Sequence, residues 1–168
     1  FWSPMEYELY DFDESTLRLN STGAEFTEES IQRSIKEQGI NNLIYKRVKK
    51  LNKDDVKRNL IFCDSVETAK KLSNVIPNSA YLSGETNSKL REEIIYKFKT
   101  GEIWNVFNHG VLSTGFDYPE LQTVIMGRPT NSYASYYQIV GRVVRIHEYK
   151  SKGFFIDFCN NVKRFGRL

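Results

Sequence analysis

Residues 138–146, QIVGRVVRI, set Gln138, Gly141, Arg142 and Arg145 among five branched aliphatic side chains with no acidic residue to balance the charge. The spacing predicts a helix over residues 132–146, started by Ser132, because the four polar or small positions then fall at i, i+3, i+4 and i+7 on one stripe. Ile139, Val140, Val143, Val144 and Ile146 cover the rest of the circumference, so the helix should be mostly buried. A solvated basic face is one reading of the stripe, but such faces usually mix Lys with Glu to gain i,i+4 pairs. The other reading is that two guanidiniums are held rigidly to meet an anion. The planar fork of arginine donates bidentately to phosphate and keeps its charge when partly desolvated. Gly141 would allow close approach between the two.

A second constellation is the loop STGFDYP, residues 113–119. Ser113 and Thr114 offer hydroxyls and Gly115 exposes backbone N–H groups, which can hold a phosphate backbone without reading bases. The Asp117 carboxylate would suit a ribose hydroxyl. The same residue types also make ordinary turns. Other chemical groups read as structural. His109 is expected to be a hydrogen-bonded loop residue and His147 a helix-end cation. Trp104, Tyr136 and Tyr137 are expected in packing, and the run KRVKK at 46–50 on a solvated face. Cys63 and Cys159 lie in apolar runs, where buried free thiols are expected and a metal site is not.

The elements that must position these residues follow from the hydrophobic pattern. Helices are expected over 27–39, 41–51, 65–76 and 87–101, with Thr27 and Ser65 as caps. Strand runs occupy 59–63, 79–82, 103–108, 123–126 and 153–158. Strand and helix alternate through short connections, which predicts an α/β doubly wound, mostly parallel sheet with helices on both faces. In such sheets ligands sit at the carboxyl ends of the strands, here after residues 63, 82, 108, 126 and 158. The first 25 residues interleave acids with aromatics in no helical period, so they read as an irregular arm or an edge strand.

With 168 residues, 40% hydrophobic and 27% charged, the composition is that of a globular domain with a modest extension. No apolar run reaches membrane-span or signal-peptide length, so a cytoplasmic protein with no membrane partner is expected. The net charge of +3 is weak evidence of a nucleic-acid partner. Its excess is concentrated at the C-terminal end, in Arg142, Arg145, Lys150, Lys152, Lys163, Arg164 and Arg167. The chain opens on Phe1, so a piece of a longer protein is expected.

The segments NLIFCDSVETAKKL, YLSGETNSKLREEIIYKFKTG, VFNHGVLSTGFDYPELQTVIMGRPT and YYQIVGRVVR resemble motifs IV, IVa, V and VI of superfamily two helicases, in order, over residues 59–146. They are most similar to RadD-type bacterial and phage DNA-repair helicases, which also match Gly23, Phe26, Asp157, Asn161, Arg164 and Gly166. The resemblance implies a RecA-like fold, with residues 26–168 as the second of two RecA-like domains and residues 1–25 as a linker or arm from the first. ATP with Mg²⁺ would bind between the domains, the N-terminal one holding Mg²⁺. Arg142 and Arg145 would reach the γ-phosphate as catalytic arginines, with Gln138, Gly115 and Asp117 binding the nucleotide. Ser65, Gly84, Thr86, Ser113 and Thr114 would line the backbone of DNA or, less favoured, RNA, in a repair or recombination helicase of a bacterial or phage-infected cell. The same motor set in a restriction enzyme and a non-catalytic nucleic-acid-binding module are the alternatives. Val143 replaces a usual Gly and Thr68 a usual His. Asn160 stands for a Gly, tolerable if its φ is positive. No G-x-x-x-x-G-K-[ST] and no D-E-x-[DH] occurs, so the isolated chain is expected not to hydrolyse ATP.

Overall fold

Four helices begin where a short polar side chain can accept a hydrogen bond from the first turn. Thr27, Ser65, Asn87 and Ser132 accept from the backbone N–H of Ser30, Thr68, Leu90 and Ser135. Each satisfies a donor that the helix itself cannot. The computed structural model describes residues 5–111, 120–141 and 153–167. Its elements are β1 (Met5–Leu9), α1 (Glu28–Glu37), α2 (Ile40–Lys53), β2 (Asn59–Phe62), α3 (Val66–Val75), β3 (Ser79–Ser83), α4 (Ser88–Lys99), β4 (Asn105–His109), β5 (Thr123–Met126), α5 (Tyr133–Val140), β6 (Gly153–Asp157) and α6 (Asn161–Phe165).

The strands form one six-stranded sheet in the order β1-β6-β5-β2-β4-β3, every neighbouring pair parallel. Strand alternation sends Ile61, Phe107, Ile125 and Ile156 to one face, where α1, α2 and α3 cover them with Ile31, Ile35, Ile44, Val48, Ala69 and Leu72. Leu60, Phe62, Val106, Val124, Met126 and Phe155 point to the other face, beneath Ile94 and Phe98 of α4, Tyr136, Ile139 and Val140 of α5 and Val162 of α6. Burial of each large side chain contributes about 1.5–3 kcal/mol. The doubly wound parallel α/β sheet is therefore as expected.

Three local features add to the sequence reading. Gly39 closes the first helix as expected, and at φ +64 this one left-handed residue also turns the chain into α2. The short helix α6 has no sequence signal beyond the Asn160 that precedes it, and Asn160 does adopt positive φ, at +59. The helix expected over 132–146 is described from Tyr133 to Val140, the positions beyond Gly141 lying outside the described residues.

Both readings left open for the N-terminal segment hold in part, since Met5–Leu9 is an edge strand and residues 10–26 form a largely irregular arm. β1 pairs with β6, Met5 opposite Gly153. Beyond it, residues 10–26 cross the carboxyl ends of β6 and β5. The Tyr10 N–H donates to the Asp157 carbonyl and its ring stacks on Phe158 at 4.2 Å, while Phe12 and Leu17 are buried.

Candidate functional site

Four of the six strand exits at the carboxyl edge of the sheet follow one another in the spatial order β5, β2, β4, β3. At the end of β2, buried Asp64 is followed by Ser65, whose hydroxyl caps α3 and donates to Thr68 Oγ1 at 3.1 Å. Asn41 of α2 reaches Thr68 Oγ1 at 3.3 Å and lies 3.5 Å from Asp64 Oδ1. At the end of β3 the chain closes a tight turn. The Ser83 N–H donates to Thr86 Oγ1 at 3.0 Å and the Thr86 N–H returns to the Ser83 carbonyl at 3.1 Å. Gly84 at its tip is exposed, and a Cβ there would meet nothing within 4 Å. Open backbone beside a hydroxyl is a surface on which a phosphate chain can lie. Ser65 and the Ser83–Thr86 turn stand two strands apart, about 10 Å. The β4 exit, from which residues 112–119 depart, lies between them.

Charge gathers at the ends of β4 and β5. Gly127 has no room for a side chain, since a Cβ would sit 2.6 Å from both the Phe62 carbonyl and Ile44 Cδ1. That contact, with the Gly127 N–H on Phe62 O at 2.8 Å, fixes the backbone that carries Arg128. Arg128 forks onto Glu28 of α1, Nη2 to Oε1 at 2.8 Å and Nη1 to Oε2 at 3.4 Å. His109 Nε2 lies 3.7 Å from the same carboxylate and, among the described residues, makes no hydrogen bond although the atom is buried. Burial pushes the Glu28 carboxyl up, but the hydrogen bond and charge of Arg128, with a smaller contribution from His109, hold it below its ordinary value. Next to them Glu25 accepts from Thr130 Oγ1 at 2.5 Å and from the Asn131 N–H at 2.6 Å. These groups border a cleft of about 210 Å³, floored by Phe62, Met126 and Ile139.

A third network locks the β6 end. Asp157 accepts from the N–H groups of Cys159 and Val162 and from Asn161 Nδ2, while Asn161 Oδ1 accepts from the Thr130 N–H. Arg164 pairs with Glu14 of the arm and donates to the Thr130 carbonyl, its guanidinium 5.1 Å from the Phe26 ring centroid. Burial lowers the pKa of Arg164. Cys63 and Cys159 are buried free thiols, each raised by desolvation. Among the described residues no three His, Cys, Asp or Glu side chains converge on a metal-sized site, and no helix is long and apolar enough to cross a membrane.

Of the sequence-identified site residues, Ser65, Gly84 and Thr86 come to one edge of the sheet. Gln138 lies on the exposed side of α5, opposite buried Tyr136, Ile139 and Val140. A Cβ on Gly141 would press only on its own helix, 3.3 Å from the Tyr137 carbonyl. Ser113, Thr114, Gly115, Asp117, Arg142 and Arg145 lie outside the described residues. The sequence reading passed over Arg128 and Glu28 and treated His109 as filler. The signal for Arg128 and His109 was their place at strand ends 126 and 108; nothing local marks Glu28 as their partner.

Residues 38–147 match the family described as the helicase conserved C-terminal domain. The chain is 36% identical over 48% of its length to the putative ATP-dependent helicase IRC3 of Saccharomyces cerevisiae, and 24% identical over 92% to a 51.5 kDa protein of a Lactococcus phage. It spans 12% and 34% of those relatives. Among solved structures it is similar to a fragment of a putative HsdR subunit of a type I restriction enzyme from Vibrio vulnificus, with TM-score 0.78 and 20% identity over 99% of this chain and 34% of that one. The matched span runs through the Ser65 cap, the Ser83–Thr86 turn, the Arg128 loop and α5, and the chain belongs to the helicase conserved C-terminal domain family, its parallel sheet having the RecA-like fold.

Proposed function

We propose that the chain is the second motor domain of an ATP-dependent nucleic-acid helicase or translocase, acting in DNA repair or recombination in the cytoplasm of a bacterial or phage-infected cell. Residues 1–25 lead from an N-terminal RecA-like domain of the same protein, which holds Mg²⁺ and most of the triphosphate. The observation that carries the reading is the pair of hydroxyl-bearing turns, Ser65 and Ser83–Thr86, flanking the strand exit that leads to Ser113 and Thr114. Together these residues grip the sugar–phosphate backbone of DNA, or of RNA, without reading bases.

Bound ATP supplies the phosphoryl group whose charge the protein must stabilise. Arg142 and Arg145 meet that charge in the transition state, while Gln138, Gly115 and Asp117 hold the nucleotide. Exposed Gln138 on the far side of α5 from the core fits this role, because a polar group aimed away from the packed face can meet a partner domain. Arginine fingers are worth about 10³–10⁵ in rate, or roughly 4–7 kcal/mol of barrier. In the full-length protein, R142K and R145K should therefore lower kcat for nucleic-acid-stimulated ATP hydrolysis by about a thousand-fold with folding unchanged. Near-normal turnover in both would overturn the reading. A motor serving a restriction enzyme is the second reading, in keeping with the fold shared with the HsdR fragment along nearly the whole chain. A nuclease motif elsewhere in the parent sequence would select it.

A further inference from the structure

The Arg128–His109–Glu28 cluster has a geometry that an ordinary surface ion pair does not need. The Arg128 backbone is clamped on both sides, by Gly127 pressed against Phe62 and Ile44 and by Asn161 Nδ2 donating to the Arg128 carbonyl at 3.0 Å. Its side chain is only 17% exposed, and that of His109 only 24%, so both are held inside the cleft rim. Their shared partner is the most exposed member. The Glu28 side chain is 54% exposed, and its second contact to Arg128 is stretched to 3.4 Å. The buried His109 Nε2, 3.7 Å from the carboxylate, is beyond hydrogen-bond reach. Two well-buried groups thus share one part-exposed carboxylate, which bonds Arg128 closely through Oε1 and leaves His109 without a hydrogen bond. Glu25, the other acid in the cleft, is by contrast tied to Thr130 and Asn131.

We propose that Arg128 and His109 form a subsite for one backbone phosphate of the nucleic acid, with Glu28 as a resident counter-ion that the phosphate displaces. The inference rests on the nucleic-acid reading above and extends the grip from the β2 and β3 exits to the β4 and β5 exits. A phosphate has the tetrahedral spread of oxygens to accept from the Arg128 fork and from His109 together. A cleft of about 210 Å³ has ample room for a phosphodiester group beside Arg128 and His109. Val111, which lines the same cleft, is two residues before Ser113 in the sequence. Glu28 screens the site when it is empty, which disfavours binding of stray anions.

The test is binding of fluorescein-labelled oligothymidylate and oligouridylate to the full-length protein without ATP, over a range of salt. One phosphate contact on a single strand contributes a slope of about 0.7 in log affinity against log salt, which is roughly five-fold at 0.1 M relative to 1 M. R128Q should weaken binding about five-fold at 0.1 M and lower the magnitude of the slope by about 0.7. E28Q, which removes the competing charge at constant size, should tighten binding, and the double variant E28Q/R128Q should lose that gain. R128K, with charge but no fork, should fall between R128Q and wild type. Circular dichroism of each variant confirms folding. Wild-type affinity and slope in R128Q, while T86V weakens binding, would sink the subsite and leave the nucleic-acid reading standing. Loss of ATP affinity in R128Q with oligonucleotide binding unchanged would also sink it, assigning the anion to nucleotide. Failure of the wild-type protein to bind either oligonucleotide would end both.

Discussion

The two edges of the sheet use the same small polar residues for opposite ends. At the amino edge, Asn52, Asn59, Ser79 and Asn105 form a belt across β2, β4 and β3. Asn105 Nδ2 donates to Asn52 Oδ1 and Ser79 Oγ, and its Oδ1 accepts from both Asn52 and Asn59. Asn59 and Asn105 are fully buried, and apart from Asn59 Oδ1, which has no partner among the described residues, their side chains spend their hydrogen bonds on one another, on Asn52 and Ser79 and on the Val56 carbonyl. At the carboxyl edge, Ser65 and Thr86 use their oxygens to close local turns but stay part-exposed beside exposed Gly84. Polar groups that satisfy each other inside fix strand register, whereas those half-satisfied at a rim can still meet a ligand. The residue type does not decide between the two. Position along the strand does.

The sharpest way to break this contrast is Asn105→Leu. It strands the amides of Asn52 and Asn59, and should cost about 3 kcal/mol in urea unfolding while oligonucleotide affinity of the protein that remains folded is unchanged. Asp157→Asn tests whether the carboxyl edge also has a purely structural centre. Its carboxylate accepts from the backbone of Val162 and Cys159, and an amide in its place presents a donor to donors, for a loss of about 2 kcal/mol. Burial raises the Asp157 pKa, against the lowering by the N–H groups of Val162 and Cys159 and by Asn161. A native value above the unfolded one gives stability that is fully present below the unfolded value and is lost as pH rises through the native value. The stability gap between wild type and D157N should accordingly widen as pH is lowered across that window.

Smaller effects sharpen the contrast. Thr86→Val removes one part-exposed hydroxyl and should change stability by less than about 1 kcal/mol. Its readout is binding, expected to fall several-fold; equal affinity would make the β3 turn structural only. Thr123→Val should act in the reverse sense. The Thr123 hydroxyl is buried at the amino edge with no partner among the described residues, so an isosteric methyl should be neutral or stabilise by up to about 1 kcal/mol. Clear destabilisation would show that the hydroxyl has a partner in solution.

How much was readable in advance follows from how far apart the interacting residues are. The caps Thr27, Ser65 and Ser132 were readable because a cap and its N–H donor are three residues apart. Strand cores such as NLIF and TVIM were readable because parallel strands covered on both faces leave continuous apolar runs. The candidate site was only half visible. Strand ends could be listed from sequence, but Glu28 stands 100 positions from Arg128, and Glu25 stands 105 from Thr130.

By itself, then, the sequence determined the alternation of elements, the helix starts, the burial of both cysteines and the strand ends after residues 63 and 82, all consequences of local periodicity and of parallel winding, while its motifs singled out Ser65, Gly84 and Thr86. Only tertiary structure decided that β1 joins β6, that Gly127 must lack a side chain beneath Phe62 and Ile44, and that Glu28 faces Arg128 and His109. Those outcomes depend on which distant surfaces meet when the two cores close, and no short-range pattern records a contact whose partners have no fixed spacing along the chain.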